Sequence, residues 1–387
     1  MMHTRLSRFV LTAFLLLNIS LISAQNSFVT KYANSSVFAG IEVGSKGVKL
    51  SLVEVDNNAR QNGAFNILRD TSINTDFISF TQPTYQATVS ALNKLYDMAV
   101  KDYKIPTNNV FTAVSSGVNV QAEKENKLNW IDQLISAFRF NFNEPERKVT
   151  LIDVKEEARL SHLGIVPDSR RYNTFLIDIG SGNTKGGYFP NGNTNDFKLF
   201  QLSWGTKSTA NETEKRLEGD NSLDNFYKQL GRVLTSAENS EIIYSVNESG
   251  SYPMSDNIAF SGGIAWALAT LMYPELIENS VVPVTFDEVA NFSEKLLKNP
   301  SLFSDYYIVK TISGKNLNTE AIGKEVKTVN QVFDQRSLLA GAGLMLKIMR
   351  QFESIYVKKN FYLVKNGGVG WISAYVNQTT SNQTTSK

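Results

Sequence analysis

No cysteine occurs in the 387 residues of this chain. Disulfides, thiolate nucleophiles and Cys-ligated zinc are thereby excluded. The fold has to rest on its core, which a chain of this length can make large. Histidine is almost as scarce, with His3 and His162 alone, too few for a histidine metal cluster. Neither sign of charge is in excess: 39 Lys+Arg stand against 37 Asp+Glu, so the composition supplies no nucleic-acid surface and no strong membrane adhesion. After the first 24 residues no apolar run approaches the length of a membrane span.

At the start, Arg5 and Arg8 precede an apolar stretch over residues 9–17, and Ser23-Ala24 supply small residues before Gln25. This order reads as a secretory signal peptide over residues 1–24, and Asn18 and Ser20 interrupt the run against the alternative of an uncleaved anchor. Cleavage removes two of the 39 basic residues and no acid, which leaves the mature chain balanced. The expectation is an exported protein, periplasmic or secreted, with no stable membrane anchor after cleavage. Triplets such as Asn211-Glu212-Thr213 accept glycans only in a eukaryotic secretory route. The lack of cysteine leans toward a bacterial periplasm or exterior.

What is present is a repeat. Ile41-Glu42-Val43-Gly44-Ser45-x-x-x-Lys49 returns as Ile177-Asp178-Ile179-Gly180-Ser181-x-x-x-Lys185, 136 residues later, a domain's length. Strands and helices alternate around both copies. In the first half, residues 38–43 and 48–55 read as a hairpin, 83–103 as a helix, and 110–114 as a strand running into Ser115-Ser116-Gly117. A helix over 130–140, a strand over 149–152 and a helix over 155–163 follow. The second half has strands over 174–179 and 185–189, helices near 210–217 and 223–237, and a strand over 257–260. There Ser261-Gly262-Gly263 opens a helix over 264–272, and further helices cover 286–297 and 337–352. This is an α/β protein of two domains, drawn at 25–160 and 161–375, with a polar tail over 376–387 predicted to be disordered.

Each Gly-Ser turn can be an ordinary hairpin turn or an anion-binding nest, since glycines let backbone N–H groups approach a ligand. The acid two residues before each turn ends an apolar strand, where it needs a partner. Two such acids, Glu42 and Asp178, facing one cleft can hold Mg²⁺. In Lys155-Glu156-Glu157-Ala158-Arg159-Leu160, adjacent side chains point about 100° apart on a helix. Glu156 is placed to pair with Arg159 on a solvated face. Glu157 shares a stripe with Leu160, Ser161 and Gly164; it is either a helix-face carboxylate or a group that takes a proton from water. His162 reads as a helix-face residue, and Trp204 and Trp266 as core.

Taken together, the Gly-Ser turn, Glu-Glu-Ala-Arg-Leu, Ile-Asp-Ile-Gly-Ser-Gly-Asn-Thr and Ser-Gly-Gly before a helix resemble, in that order, the Ppx/GppA family of exopolyphosphatases and guanosine pentaphosphatases. The likeness runs from residue 38 to about 350, and the turns alone also resemble apyrase-type ectonucleotidases. It implies a two-domain ribonuclease-H-like, actin-type ATPase fold with the ligand cleft between duplicated halves. It further implies a phosphatase acting on polyphosphate or on nucleoside tri- or diphosphates, with guanosine pentaphosphate disfavoured by export. Phosphates would be held by Gly44, Ser45, Lys46, Gly47, Gly180, Ser181, Gly182, Asn183 and Thr184, with Gly262 and Gly263 as a third loop. Asp178 and Glu42 would position Mg²⁺ or another divalent cation, and Glu157 would activate water. The sequence leaves a homodimer open. It departs from the family pattern at Glu42, where Asp is usual, and at Asn119, where the family carries a phosphate-binding Arg. Lys46 and Lys185 stand where the family is usually neutral or acidic; Lys46, Lys49 or Lys185 is read as replacement charge, with a solvent-facing place as the alternative for Lys49 and Lys185. The alternative function is a catalytically inactive phosphate- or nucleotide-binding protein on the same scaffold.

Overall fold

In a computed structural model, residues 28–56, 65–252, 254–313, 317–353, 358–365, 367 and 370–385 are described. The signal peptide expected over 1–24 lies outside them. Two mixed sheets organise the chain. The first has the order β3-β2-β1-β4-β5, from β1 (Ser35–Val43), β2 (Gly47–Asp56), β3 (Phe65–Asn74), β4 (Val110–Val114) and β5 (Val149–Leu151). The second has the order β10-β11-β9-β6-β7-β8. It is built from β6 (Thr174–Ile179), β7 (Thr184–Tyr188), β8 (Lys198–Leu202), β9 (Asn257–Ser261), β10 (Val281–Val284) and β11 (Asn360–Val364). In each sheet an antiparallel meander of three strands is followed by strands parallel to its first member, β4 beside β1 and β9 beside β6. The duplication implied by the repeat is therefore a duplication of topology.

The period of two along each central strand decides what faces where. On β1, Ala39, Ile41 and Val43 pack into the first core with Ala91, Leu92 and Leu95 of the helix Gln82–Asp97. Phe38 packs on the opposite face against Val376, where Gly40 lies under Ile372. Glu42 has the parity of that second face. On β6, Phe175, Ile177 and Ile179 enter the large core of the second half. Leu176 packs on the other face with Val166, just past the helix Val154–Ile165, and Asp178 shares its parity. Both repeat acids thus leave their own domain's core and point toward the seam where Val154–Ile165 runs.

Two sequence expectations fail here. The tail predicted to be disordered from residue 376 is part of the helix Gly370–Thr385, in which Val376, Asn377 and Thr380 are buried. Nor does the second domain run unbroken to residue 375: this helix returns to the first sheet, placing Trp371, Ile372 and Ala374 against Ala113, Ile152 and Leu160. Over residues 376–387 a polar composition hid the continuation of a helix whose apolar residues, Trp371, Ile372, Ala374 and Val376, stand mostly before it. No helix among the described residues is long and apolar enough to cross a membrane.

His162 lies buried inside the helix Val154–Ile165, its Nε2 3.0 Å from the Thr174 carbonyl oxygen and its ring edge-on to Phe189. Burial, helped by the charge of Arg171, pushes the imidazole down to about 4 from an ordinary 6.5. The unfolded chain therefore takes up this proton first, and the stability is complete above pH 6.5 and lost as pH falls toward 4. Between pH 7.5 and 4.5 the wild type is expected to lose about 2–3 kcal/mol more than His162→Gln, measured by denaturant unfolding at both pH values. Equal losses would show that the histidine is not held neutral.

Candidate active site

Both repeat turns close in the same way. Val43 pairs with Val48 and Ile179 with Thr184, which leaves two-residue turns, Ser45-Lys46 and Ser181-Gly182. Gly44 N–H donates to the Gly47 carbonyl at 2.9 Å, and Gly180 N–H to the Asn183 carbonyl at 3.0 Å. The two turns face one cavity of about 1000 Å³. Its wall includes Glu42, Gly44, Ser45, Lys46, Gly47, Glu157, Asp178, Gly180, Ser181, Gly182, Asn183, Gly262 and Gly263. Thr184 is the exception among the residues expected there: it is fully buried on β7, and its hydroxyl donates to the Trp204 carbonyl at 2.7 Å. Asn119 stands aside too, its amide donating to Glu123 Oε1 at 2.8 Å along the helix Ser116–Lys124.

Glu157 is 3 % exposed. Asp153 caps its helix by accepting from Glu156 N–H at 2.8 Å, and Glu156 pairs with Arg159 on the outer face, so the next residue turns inward. Its Oε2 accepts from the Ser116 N–H at 2.6 Å, at the first turn of the helix Ser116–Lys124, where the dipole favours an anion. Its Oε1 lies 3.0 Å from Lys185 Nζ. Burial works to raise the Glu157 pKa, but Lys185 and Ser116 outweigh it and hold the carboxyl below the usual range.

Lys185 is the residue whose place the sequence reading left open between cleft and solvent. It lines the cavity with its side chain 8 % exposed, and its Nζ is also 3.6 Å from Asp178 Oδ2. Burial disfavours its charge, yet Glu157, Asp178 and Glu42 keep it above an ordinary lysine. A signal for this was available. A two-residue hairpin places position i opposite i+7, so Lys185 faces Asp178 and Lys49 faces Glu42, with side chains on the same side of the sheet. Lys49 Nζ is 3.7 Å from Glu42 Oε2. Burial lifts Glu42 above the usual carboxylate range; Lys49 opposes the shift and Glu157 adds to it.

The rim carries a second polar group absent from the sequence reading. Asp76 bonds Lys46 and the Ser79 hydroxyl, and lies 3.7 Å from Lys207, the second residue of the helix Thr206–Glu214. One carboxylate thereby links the first turn to the second half. Trp266 and Phe333 form an apolar part of the wall, with Trp266 Nε1 donating to Glu325 at 2.6 Å.

The divalent cation expected at Glu42 and Asp178 meets a different arrangement. Among the described residues no three His, Cys, Asp or Glu side chains are grouped to hold a metal ion. Asp178 and Glu157 already flank the Lys185 ammonium, and a dication brought to about 4 Å from that charge is repelled by several kcal/mol. The donor set fits a resident ammonium better than a metal shared by the two repeat acids.

No family model matches the chain, and no curated protein does. Solved structures do. A Ppx/GppA family member from Aquifex aeolicus superposes with a TM-score of 0.61 at 17% identity, covering 90% of this chain and 99% of its own. An exopolyphosphatase-like protein gives 0.59 at 14% identity, over 91% and 99%. An exopolyphosphatase from Cytophaga hutchinsonii gives 0.52 at 13%, over 88% and 98%. Over most of its length the chain has the two-domain, actin-type fold of the Ppx/GppA proteins.

Proposed function

We propose that this protein is an exported phosphoanhydride hydrolase that takes the terminal phosphate of inorganic polyphosphate or of a nucleoside tri- or diphosphate. One observation carries the reading: a buried carboxylate, Glu157, sits in the same cavity as two equivalent Gly-Ser turns. The turns supply the surroundings for phosphate oxygens, and Lys185 supplies charge. The water oxygen bonds to the terminal phosphorus while the anhydride P–O bond breaks, and the shortened phosphate leaves with that electron pair. Glu157 orients the water and receives its proton. A carboxylate held below its usual pKa is a weak base, which suffices where positioning and charge neutralisation do most of the catalysis. Export fits a substrate met outside the cytoplasm.

A second reading, phosphate binding without turnover, draws on the same carboxylate, because both Glu157 oxygens already have partners. Phosphate release from polyphosphate, ATP and ADP, measured beside tripolyphosphate binding, separates the two. Glu157→Gln is expected to slow release by about 10²-fold or more while binding persists. If the wild type binds but releases no faster than the variant, the protein is a binder. If it does neither, the functional reading fails. A preference for ATP over polyphosphate would bring the Trp266–Phe333 wall into use as a base platform.

A further inference from the structure

We propose that Lys185 is the resident cation of this cleft, so that the protein engages the phosphates through its ammonium and needs no divalent metal at Glu42 and Asp178. The inference rests on the phosphate-binding reading and deepens it. Three observations carry it. The register of β6 and β7 sets Lys185 directly across from Asp178, so backbone pairing directs the lysine into the cleft. Its ammonium stands 3.0 Å from Glu157 and 3.6 Å from Asp178, in the space between the repeat acid and the helix carboxylate. It is also buried, and an ammonium so placed needs those carboxylates as much as they need it. The contact with Asp178 is too long for a hydrogen bond. A phosphate oxygen can replace it while the closer contact to Glu157 persists. The first repeat has the same cross-strand pair in looser form, Lys49 beside Glu42. The second pair is the one that reaches the helix carboxylate.

The test uses the full protein and two probes. Calorimetric binding of tripolyphosphate is measured in EDTA and again with millimolar Mg²⁺, and free Mn²⁺ is followed by electron paramagnetic resonance. The wild type is expected to bind tripolyphosphate in EDTA, to lose in Mg²⁺ no more affinity than magnesium's own complexation of tripolyphosphate accounts for, and to leave Mn²⁺ free when no tripolyphosphate is present. Lys185→Met is expected to weaken binding about tenfold or more in EDTA, to take up Mn²⁺, and to recover affinity with it. Wild-type binding that requires Mg²⁺, or stoichiometric Mn²⁺ uptake by the wild type, overturns the inference and leaves the functional reading standing. Absence of tripolyphosphate binding in both conditions sinks the phosphate reading, and this inference with it. The wild-type comparison decides the matter even if the variant does not fold.

Discussion

Replacing Gly262 by alanine is expected to cut the activity of the cleft by about 10²-fold, whereas the same change at Gly182 is expected to be nearly silent. Both glycines line the cavity. Gly262 has φ +91°, in the left-handed region, and caps the helix Gly263–Met272. A Cβ there would stand 2.3 Å from the Ile179 carbonyl oxygen and 2.6 Å from Asp178 Oδ1. The first contact is with backbone and cannot be relieved by a side-chain rotation; the second pushes Asp178 off its line to Lys185. Backbone strain of this kind costs about 1–3 kcal/mol, and a displacement near 1 Å at reacting groups costs about 10²-fold in rate. A Cβ at Gly182 meets nothing within 4 Å. Thermal unfolding and phosphate release, measured on both variants, test the contrast. A fully active Gly262→Ala would mean that Asp178 is not positioned by this loop. An inactive Gly182→Ala would mean that the open side of the turn is filled by ligand.

The pairing of Gly262 with Asp178 marks how far the sequence could be read. Glu42 and Asp178 were legible because period-two alternation and an acid before a Gly-Ser turn are local patterns, and their recurrence 136 residues apart suggested two halves facing one cleft, where both acids line one cavity. Glu157 was legible through the helical stripe it shares with Leu160 and Ser161, both buried. Lys185 was only half legible. Its distance from Asp178 contains the pairing, but the hairpin register had to be known to place it inside. Asp76 and Lys207 come from segments with no pattern of their own, and meet only once the two halves are assembled. Thr184 was misplaced because its neighbours in the motif face the cleft while its own hydroxyl bonds a chain carbonyl beneath it. β3, β8, β10 and β11 escaped notice as well. In β8, for example, exposed Lys198 and Gln201 alternate unevenly with buried Phe200 and Leu202, too short a run to stand out.

Ending the chain at Lys365 is expected to cost the protein most of its stability, although half of the segment removed, residues 376–387, reads as a polar tail. The helix Gly370–Thr385 buries Trp371, Ile372 and Val376, each worth about 1.5–3 kcal/mol on burial, so the sum is about 5 kcal/mol or more. That is a large part of the roughly 5–15 kcal/mol available to a folded domain. The loss is not confined to stability, because the helix crosses Val154–Ile165 at two glycines. A Cβ at Gly164 would stand 2.1 Å from the Gly370 carbonyl oxygen, and one at Gly370 would stand 2.4 Å from Ile165 Cγ1. Gly164 lies two turns beyond Glu157 on one helix face, so whatever parts the two helices also tilts the carboxylate. Gly164→Val therefore serves as the finer instrument. It is expected to cost about 1–3 kcal/mol, as overpacking does, and to depress phosphate release more than the stability loss alone explains. Denaturant midpoints read beside turnover at a temperature where the variant stays folded separate the two effects. A truncated chain that unfolds within about 1 kcal/mol of the full one would show the helix to be dispensable, and with it the coupling between the chain's end and Glu157.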